Sequence, residues 1–191
     1  MKYKNPKIKS SYYENNIGQT FYDLILEYRP KKIVEFGVLY GYSTIAMAMA
    51  LEEIGEGHIY ANDLFEDYKF NHSTMPETQA NIDKYGLSKY VTLDKKDFET
   101  WLQEPEGFDF LHVDISNKGD TIQHLYSAVK DQIDKGSIVI FEGGASGERD
   151  EIPWMQKYDF MKITNSKVPY KVINSKFPSL SMIKKGSDIF I

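Results

Sequence analysis

Short apolar runs alternate with amphipathic stretches along this chain, and the rhythm predicts strands and helices in turn. Residues 15–29 place Ile17, Phe21, Leu24, Ile25 and Tyr28 on one helical stripe, which Pro30 stops. Lys32 to Gly37 reads as a short buried strand bounded by glycine. A helix over residues 43–54 follows, rich in the strong helix formers Ala and Met. Residues 58–63 form a second strand, and residues 75–86 a helix with Gly86 as its C-cap. Residues 90–93 are a third strand, 97–103 a short helix and 108–114 a fourth strand. Over 119–133, Ile122, Leu125, Val129 and Ile133 fall in helical register. Residues 137–141 are a fifth strand, 152–163 a helix, and 170–174 and 180–184 two last strands.

Strand–helix alternation implies a parallel sheet covered by helices on both faces. The link between the last two strands, residues 174–179, is too short for a crossover, so that pair is expected to be antiparallel. The expected architecture is α/β: a doubly wound sheet, mostly parallel, with an antiparallel C-terminal pair. Sheets of this kind bind ligands beyond the carboxyl ends of their strands.

Those ends carry acids. Strand one runs into Glu35-Phe36-Gly37-Val38-Leu39-Tyr40-Gly41-Tyr42-Ser43-Thr44. Gly37 and Gly41 allow a tight turn, and Ser43 or Thr44 can cap the next helix. The spacing is G-x-x-x-G, with Val38-Leu39 where a dinucleotide fingerprint has its middle glycine, so a pyrophosphate fits poorly. Asp63, Asp97, Asp114 and Glu142 close strands two to five. Each alone reads equally well as a helix cap or loop residue. Five acids at successive strand ends form a negative rim that favours a cationic ligand and repels a dinucleotide.

The chain of 191 residues fits one domain, residues 1–191. Its net charge of −5 argues against a general nucleic-acid surface. Lys2, Lys4, Lys7 and Lys9 cluster at the start, and residues 1–12 are expected to be a frayed, solvated terminus. Cysteine is absent, which excludes disulfides and a thiolate nucleophile. No apolar run is long enough to span a bilayer, and residues 1–16 lack a signal-peptide core, so a cytoplasmic location is the default expectation. Homo-oligomerisation is compatible with all of this.

Glu35-x-Gly37-x-x-x-Gly41-Tyr42-Ser43 resembles the first motif of class I S-adenosylmethionine-dependent methyltransferases, in the form of catechol-type and small-molecule or sugar O-methyltransferases. The resemblance covers about residues 15–185 and implies a Rossmann-like sheet. It implies Glu35 and Gly37 along the methionine part of the cofactor, with Tyr40, Gly41 and Ser43 of the same loop also against it. It further implies Asp63 on the ribose, Asp97 and Phe98 at the adenine, and Asp114 near the methionine end and the reacting centre. A metal-dependent branch implies magnesium at Asp114 and Glu142, although Gly143 stands where that branch has a further ligand. Catechol-type enzymes place a lysine three residues after the strand-four acid; here that position is Asn117, and Lys118 follows one later.

Residues 141–150, with three glycines, read as a substrate lid in which Arg149 meets an anionic or hydroxyl-rich acceptor, or as a loop with an Arg149–Asp150 surface pair. His112 shares the strand face of Asp114 and reads as a core histidine or a general base. The resemblance thus implies methyl transfer to a small-molecule or sugar hydroxyl, with catalytic candidates Asp114, Glu142, Lys118 and Arg149. A noncatalytic nucleoside-binding domain, or a relative of the cephalosporin hydroxylase-like subgroup on the same fold, is the alternative.

Overall fold

The computed structural model of the chain describes residues 2–70, 73–116, 118–145 and 160–187. Its elements in chain order are α1 (Gly18–Tyr28), β1 (Lys32–Phe36), α2 (Tyr42–Ile54), β2 (His58–Asp63), α3 (Met75–Lys84), β3 (Val91–Lys95), α4 (Phe98–Gln103), β4 (Phe110–Val113), α5 (Gly119–Asp134), β5 (Ile138–Glu142), β6 (Lys171–Asn174) and β7 (Leu180–Ile183). The seven strands are ordered β3-β2-β1-β4-β5-β7-β6 in one sheet. The order reverses direction after β1, which is the doubly wound pattern; right-handed crossovers in such a sheet put helices on both faces.

The chain divides into two compact units, Met1–Trp101 and Leu102–Ile191. In the first, β1 and β2 are parallel, as are β2 and β3. Helix α1 ends where Arg29 turns left-handed and bonds back to Ile25, directly before Pro30. Every residue of α2 from Tyr42 to Leu51 is buried. A helix apolar on all sides must be enclosed on all sides, and α2 packs against both α1 and β2. Phe36 closes the end of β1 against Phe98 and Trp101, with ring centroids 5.3 and 5.0 Å away.

Residues 2–17, read from sequence as frayed over most of their length, are packed onto this unit: Ile8 and Tyr12 are core residues. Lysine spacing suggested solvent, but Ile8, Tyr12 and Ile17 supply enough apolar surface to dock the segment between its charges.

In the second unit, β4 and β5 are parallel, with Val113 opposite Phe141. Helix α5 buries Ile122, Leu125, Val129 and Ile133, the stripe expected from spacing. The last two strands are antiparallel to each other, and β7 also pairs antiparallel with β5. The returning strand lies inside because Leu180–Ile183 is buried throughout, whereas β6 is only partly covered and suits the edge. Most of the helix expected over 152–163 lies outside the described residues; Ile163–Asn165 is a 3-10 turn. Among the described residues no helix is long and apolar enough to cross a membrane.

Phe36 is 1% exposed and links the glycine turn to the aromatic cluster. Phe36→Ala is expected to cost about 3–5 kcal/mol, measured by urea unfolding.

Candidate active site

The turn from β1 into α2 needs three residues at positive φ, and one of them is not glycine. Gly37 and Gly41 have φ of 89° and 88°, which glycine adopts freely. Leu39 between them has φ of 49°. A left-handed leucine carries roughly 1–2 kcal/mol of backbone strain. The sequence showed leucine near the place of a middle glycine; the structure shows it bent into a conformation glycine would take.

Asp63, at the end of β2, holds that shape. Its Oδ2 accepts the backbone N–H of Val38 at 2.8 Å and of Leu39 at 3.0 Å. Its Oδ1 accepts the N–H of Phe65 at 3.1 Å. Phe65 is itself left-handed, at φ 48°. One carboxylate therefore ties down two strained segments. The loop's carbonyl groups are held from α3: Thr78 Oγ1 donates to Leu39 O at 2.6 Å, and Asn81 Nδ2 to Tyr40 O at 3.1 Å. Neither residue stands out by spacing, and only the fold brings α3 to the loop.

Glu35 acts from beneath. It is fully buried, and its two oxygens accept the hydroxyls of Ser43 and Thr44, each at 2.5 Å. The carboxylate thus fixes the first turn of α2, whose N-cap Gly41 offers no side chain for capping. Asn62 completes the floor by donating to Glu35 O and Tyr60 O. Gly37, Tyr40 and Gly41 shape the loop surface, whereas Glu35 is covered and reaches that surface through Ser43 and Thr44.

Two further acids of this unit are also engaged. Asp97 caps α4: Oδ1 accepts the N–H of Thr100 at 2.8 Å and its hydroxyl at 2.9 Å. Phe98 is 5% exposed, stacked on Trp101 and edge-on to Phe36. It is a core aromatic in this arrangement. Glu66 lies 2.6 Å from Lys95 and accepts the N–H of Met75. The Lys95 ammonium, then the Met75 amide, hold the Glu66 carboxyl down at about 2.

In the second unit, Asp114 and Glu142 are the residues immediately after the register pair Val113 and Phe141. Parallel neighbours run about 4.8 Å apart, so the two acids follow adjacent strand positions. Asp114 is half-buried, and Glu142 is 2% exposed. His112 lies within the core, at 0% exposure. Lys118 precedes α5, and its ammonium lies 4.0 Å from the Phe160 ring centroid. Arg149, and with it the expected lid over 146–150, lies outside the described residues.

Gly143 and Gly144 do not mark a hinge. Gly143 N–H donates to Ser179 O at 2.8 Å, and its carbonyl accepts Ser181 Oγ at 2.7 Å. Tyr170 donates to Gly144 O at 3.0 Å. A Cβ on Gly144 would stand 2.5 Å from Ser181 Oγ, at a φ of 95°. At Gly144, Ser181 and Tyr170 come too close for a side chain.

The expectation of magnesium finds no support: among the described residues no group of three or more His, Asp or Glu side chains converges to hold a metal ion. Asp114 and Glu142 offer two carboxylates, and Gly143 adds no side-chain ligand.

A strand, a glycine turn and a buried helix start, with an acid closing the next strand, make the Rossmann-like arrangement of the first unit. A family model described as a methyltransferase domain matches residues 34–142, and the chain belongs to that family. No curated protein matches the sequence. Among solved structures, the Bacillus cereus O-methyltransferase in complex with SAH is similar at 17% identity and a TM-score of 0.61, over 95% of this chain and 84% of that one. SAH-bound Podospora anserina methyltransferase PaMTH1 is similar at 16% identity and 0.60, over 88% and 77%. The Streptomyces achromogenes O-methyltransferase TomG, involved in tomaymycin synthesis and in complex with SAM, is similar at 14% identity and 0.58, over 86% and 77%.

Two outcomes follow from this geometry. Asp63→Ala strands three backbone donors and is expected to destabilise the protein by about 1–3 kcal/mol without any ligand; an unchanged urea midpoint would contradict the loop-holding role. Gly144→Ala is expected to cost about 1–3 kcal/mol by overpacking, more than Gly136→Ala, whose added Cβ meets nothing within 4 Å.

Proposed function

We propose that this chain transfers a methyl group from S-adenosylmethionine to a hydroxyl of a small molecule. The observation that carries the reading is the loop 37–41, held open by Asp63 and Glu35 in a shape without the glycine spacing for a pyrophosphate. The similar structures bound to SAM or SAH support the choice of cofactor, and the two O-methyltransferases among them support oxygen as the acceptor atom. When bound, S-adenosylmethionine supplies the activated methyl group. The protein supplies orientation and electrostatics.

Within the first unit, Gly37, Tyr40, Gly41 and Ser43 border the methionine part, and Glu35 holds Ser43 in place. Asp63 serves the ribose with what its structural duties leave. A carboxylate has about four acceptor positions, and three are taken by N–H groups, so one position on Oδ1 takes a ribose hydroxyl. Asp97 has its Oδ2 for the adenine amine, while Phe98 supports that edge from the core.

In the second unit, Asp114 is the more exposed of the paired acids, and we assign it the acceptor's proton. Glu142, buried and next to it in the sheet order, adds a second negative charge, which favours a hydroxyl donor there. Arg149 follows β5 in sequence and suits an anionic or hydroxyl-rich acceptor.

Calorimetric titration tests the cofactor assignment. S-adenosylhomocysteine is expected to bind and NAD not to; tighter binding of the dinucleotide would overturn the reading. Glu142→Gln tests the acid pair, assayed with labelled methyl donor over a panel of hydroxylated small molecules. Turnover is expected to fall about 100-fold or more, the scale of general acid–base effects, with S-adenosylhomocysteine affinity unchanged. Wild-type binding without turnover on any acceptor would favour a noncatalytic nucleoside-binding domain.

A further inference from the structure

The N-terminal segment is tied to the start of α2 and to the end of α3. Tyr42, the first residue of α2, donates its hydroxyl to Asn5 Oδ1 at 2.7 Å and accepts the N–H of Gly18 at 3.2 Å. Asn5 Nδ2 in turn donates to Tyr13 O at 3.1 Å. Tyr3 donates to Asn16 Oδ1 at 2.6 Å. Further along, Lys7 N–H donates to the Tyr85 hydroxyl at 2.8 Å, beyond the end of α3. Gly18 makes room for the crossing: a Cβ there would lie 2.5 Å from the Tyr3 hydroxyl and 3.0 Å from that of Tyr42. Residues 3–9 thus run from the start of α1, past the beginning of α2, to the end of α3.

This path delivers a cation to the loop. Lys9 is exposed, and its ammonium stands 5.6 Å from the ring centroid of Tyr40, between the two glycines of the turn. An exposed cation–π contact is worth only about 0.5–1 kcal/mol, so the ammonium can leave the ring for a stronger partner. The amino-acid tail of S-adenosylmethionine is zwitterionic. Asp63 and Asp97 serve the ribose and the adenine, and neither acid suits the tail's carboxylate.

We propose that Lys9 binds the carboxylate of the cofactor's amino-acid tail, and that residues 3–9 form the wall of the cofactor site on that side. The proposal rests on the S-adenosylmethionine reading above. It makes the N-terminal segment part of the ligand site, and Lys9 a determinant of specificity for nucleosides that carry the amino-acid tail.

The test is calorimetry with two ligands, S-adenosylhomocysteine and 5′-methylthioadenosine, which keeps the nucleoside thioether but lacks the amino-acid tail. Lys9→Ala is expected to weaken S-adenosylhomocysteine about tenfold, the scale of one charge-assisted hydrogen bond, and to leave 5′-methylthioadenosine unchanged. Lys9→Arg restores most of the affinity. Lys2→Ala, an exposed lysine ahead of that segment, controls for general charge and changes neither ligand. Unchanged S-adenosylhomocysteine affinity in Lys9→Ala would overturn the proposal while leaving the cofactor reading intact. An equal loss for both ligands would also overturn it, because Lys9 would then act on the loop and not on the tail. Failure of the wild type to bind either ligand would overturn the cofactor reading and the proposal together.

Discussion

The glycine turn depends on one carboxylate. Asp63 accepts N–H groups from two segments, and each contains a left-handed residue that is not glycine. Neither Leu39 nor Phe65 would hold that conformation alone, since each carries strain. Charge-assisted bonds to a fixed acceptor offset it. The end of β2 therefore sets the shape of the loop after β1, and parallel pairing of those strands sets where the end of β2 lies. Glu35 repeats the device one layer down, under the first turn of α2. Loop, helix start and strand end become one rigid platform before any ligand arrives.

The sequence carried the outline of this site clearly. Strand–helix alternation and the α5 stripe each announced their elements, and acids at strand ends drew attention to the loops that follow the parallel strands. The sequence could not show how those acids divide their oxygens. An aspartate at a strand end has the same letter whether it faces ligand, caps a helix or holds a loop. Asp97 caps α4, Glu35 is enclosed by Ser43 and Thr44, and Asp63 holds the loop after β1. Burial and hydrogen-bond geometry decide among these, and both are tertiary properties.

Other features were hidden for related reasons. Thr78 and Asn81 reach the loop from a helix 35 residues or more along the chain. The lysines at the start of the chain suggested solvent, yet Ile8 and Tyr12 are buried between them. Residues 141–150 read as a lid partly for their glycines; in the fold Gly143 and Gly144 are held by Ser181 and Tyr170. Adjacency of Asp114 and Glu142 was legible from topology alone, since consecutive parallel strands place their carboxyl ends together.

The central claim is that a loop preshaped by Asp63 and Glu35 is the cofactor platform. Amide chemical-shift mapping by NMR during titration with S-adenosylhomocysteine tests it most directly. The account predicts the largest perturbations at Gly37, Leu39, Tyr40, Gly41 and Ser43, together with Asp63. Saturable binding whose perturbations leave these amides unmoved and fall elsewhere would contradict it.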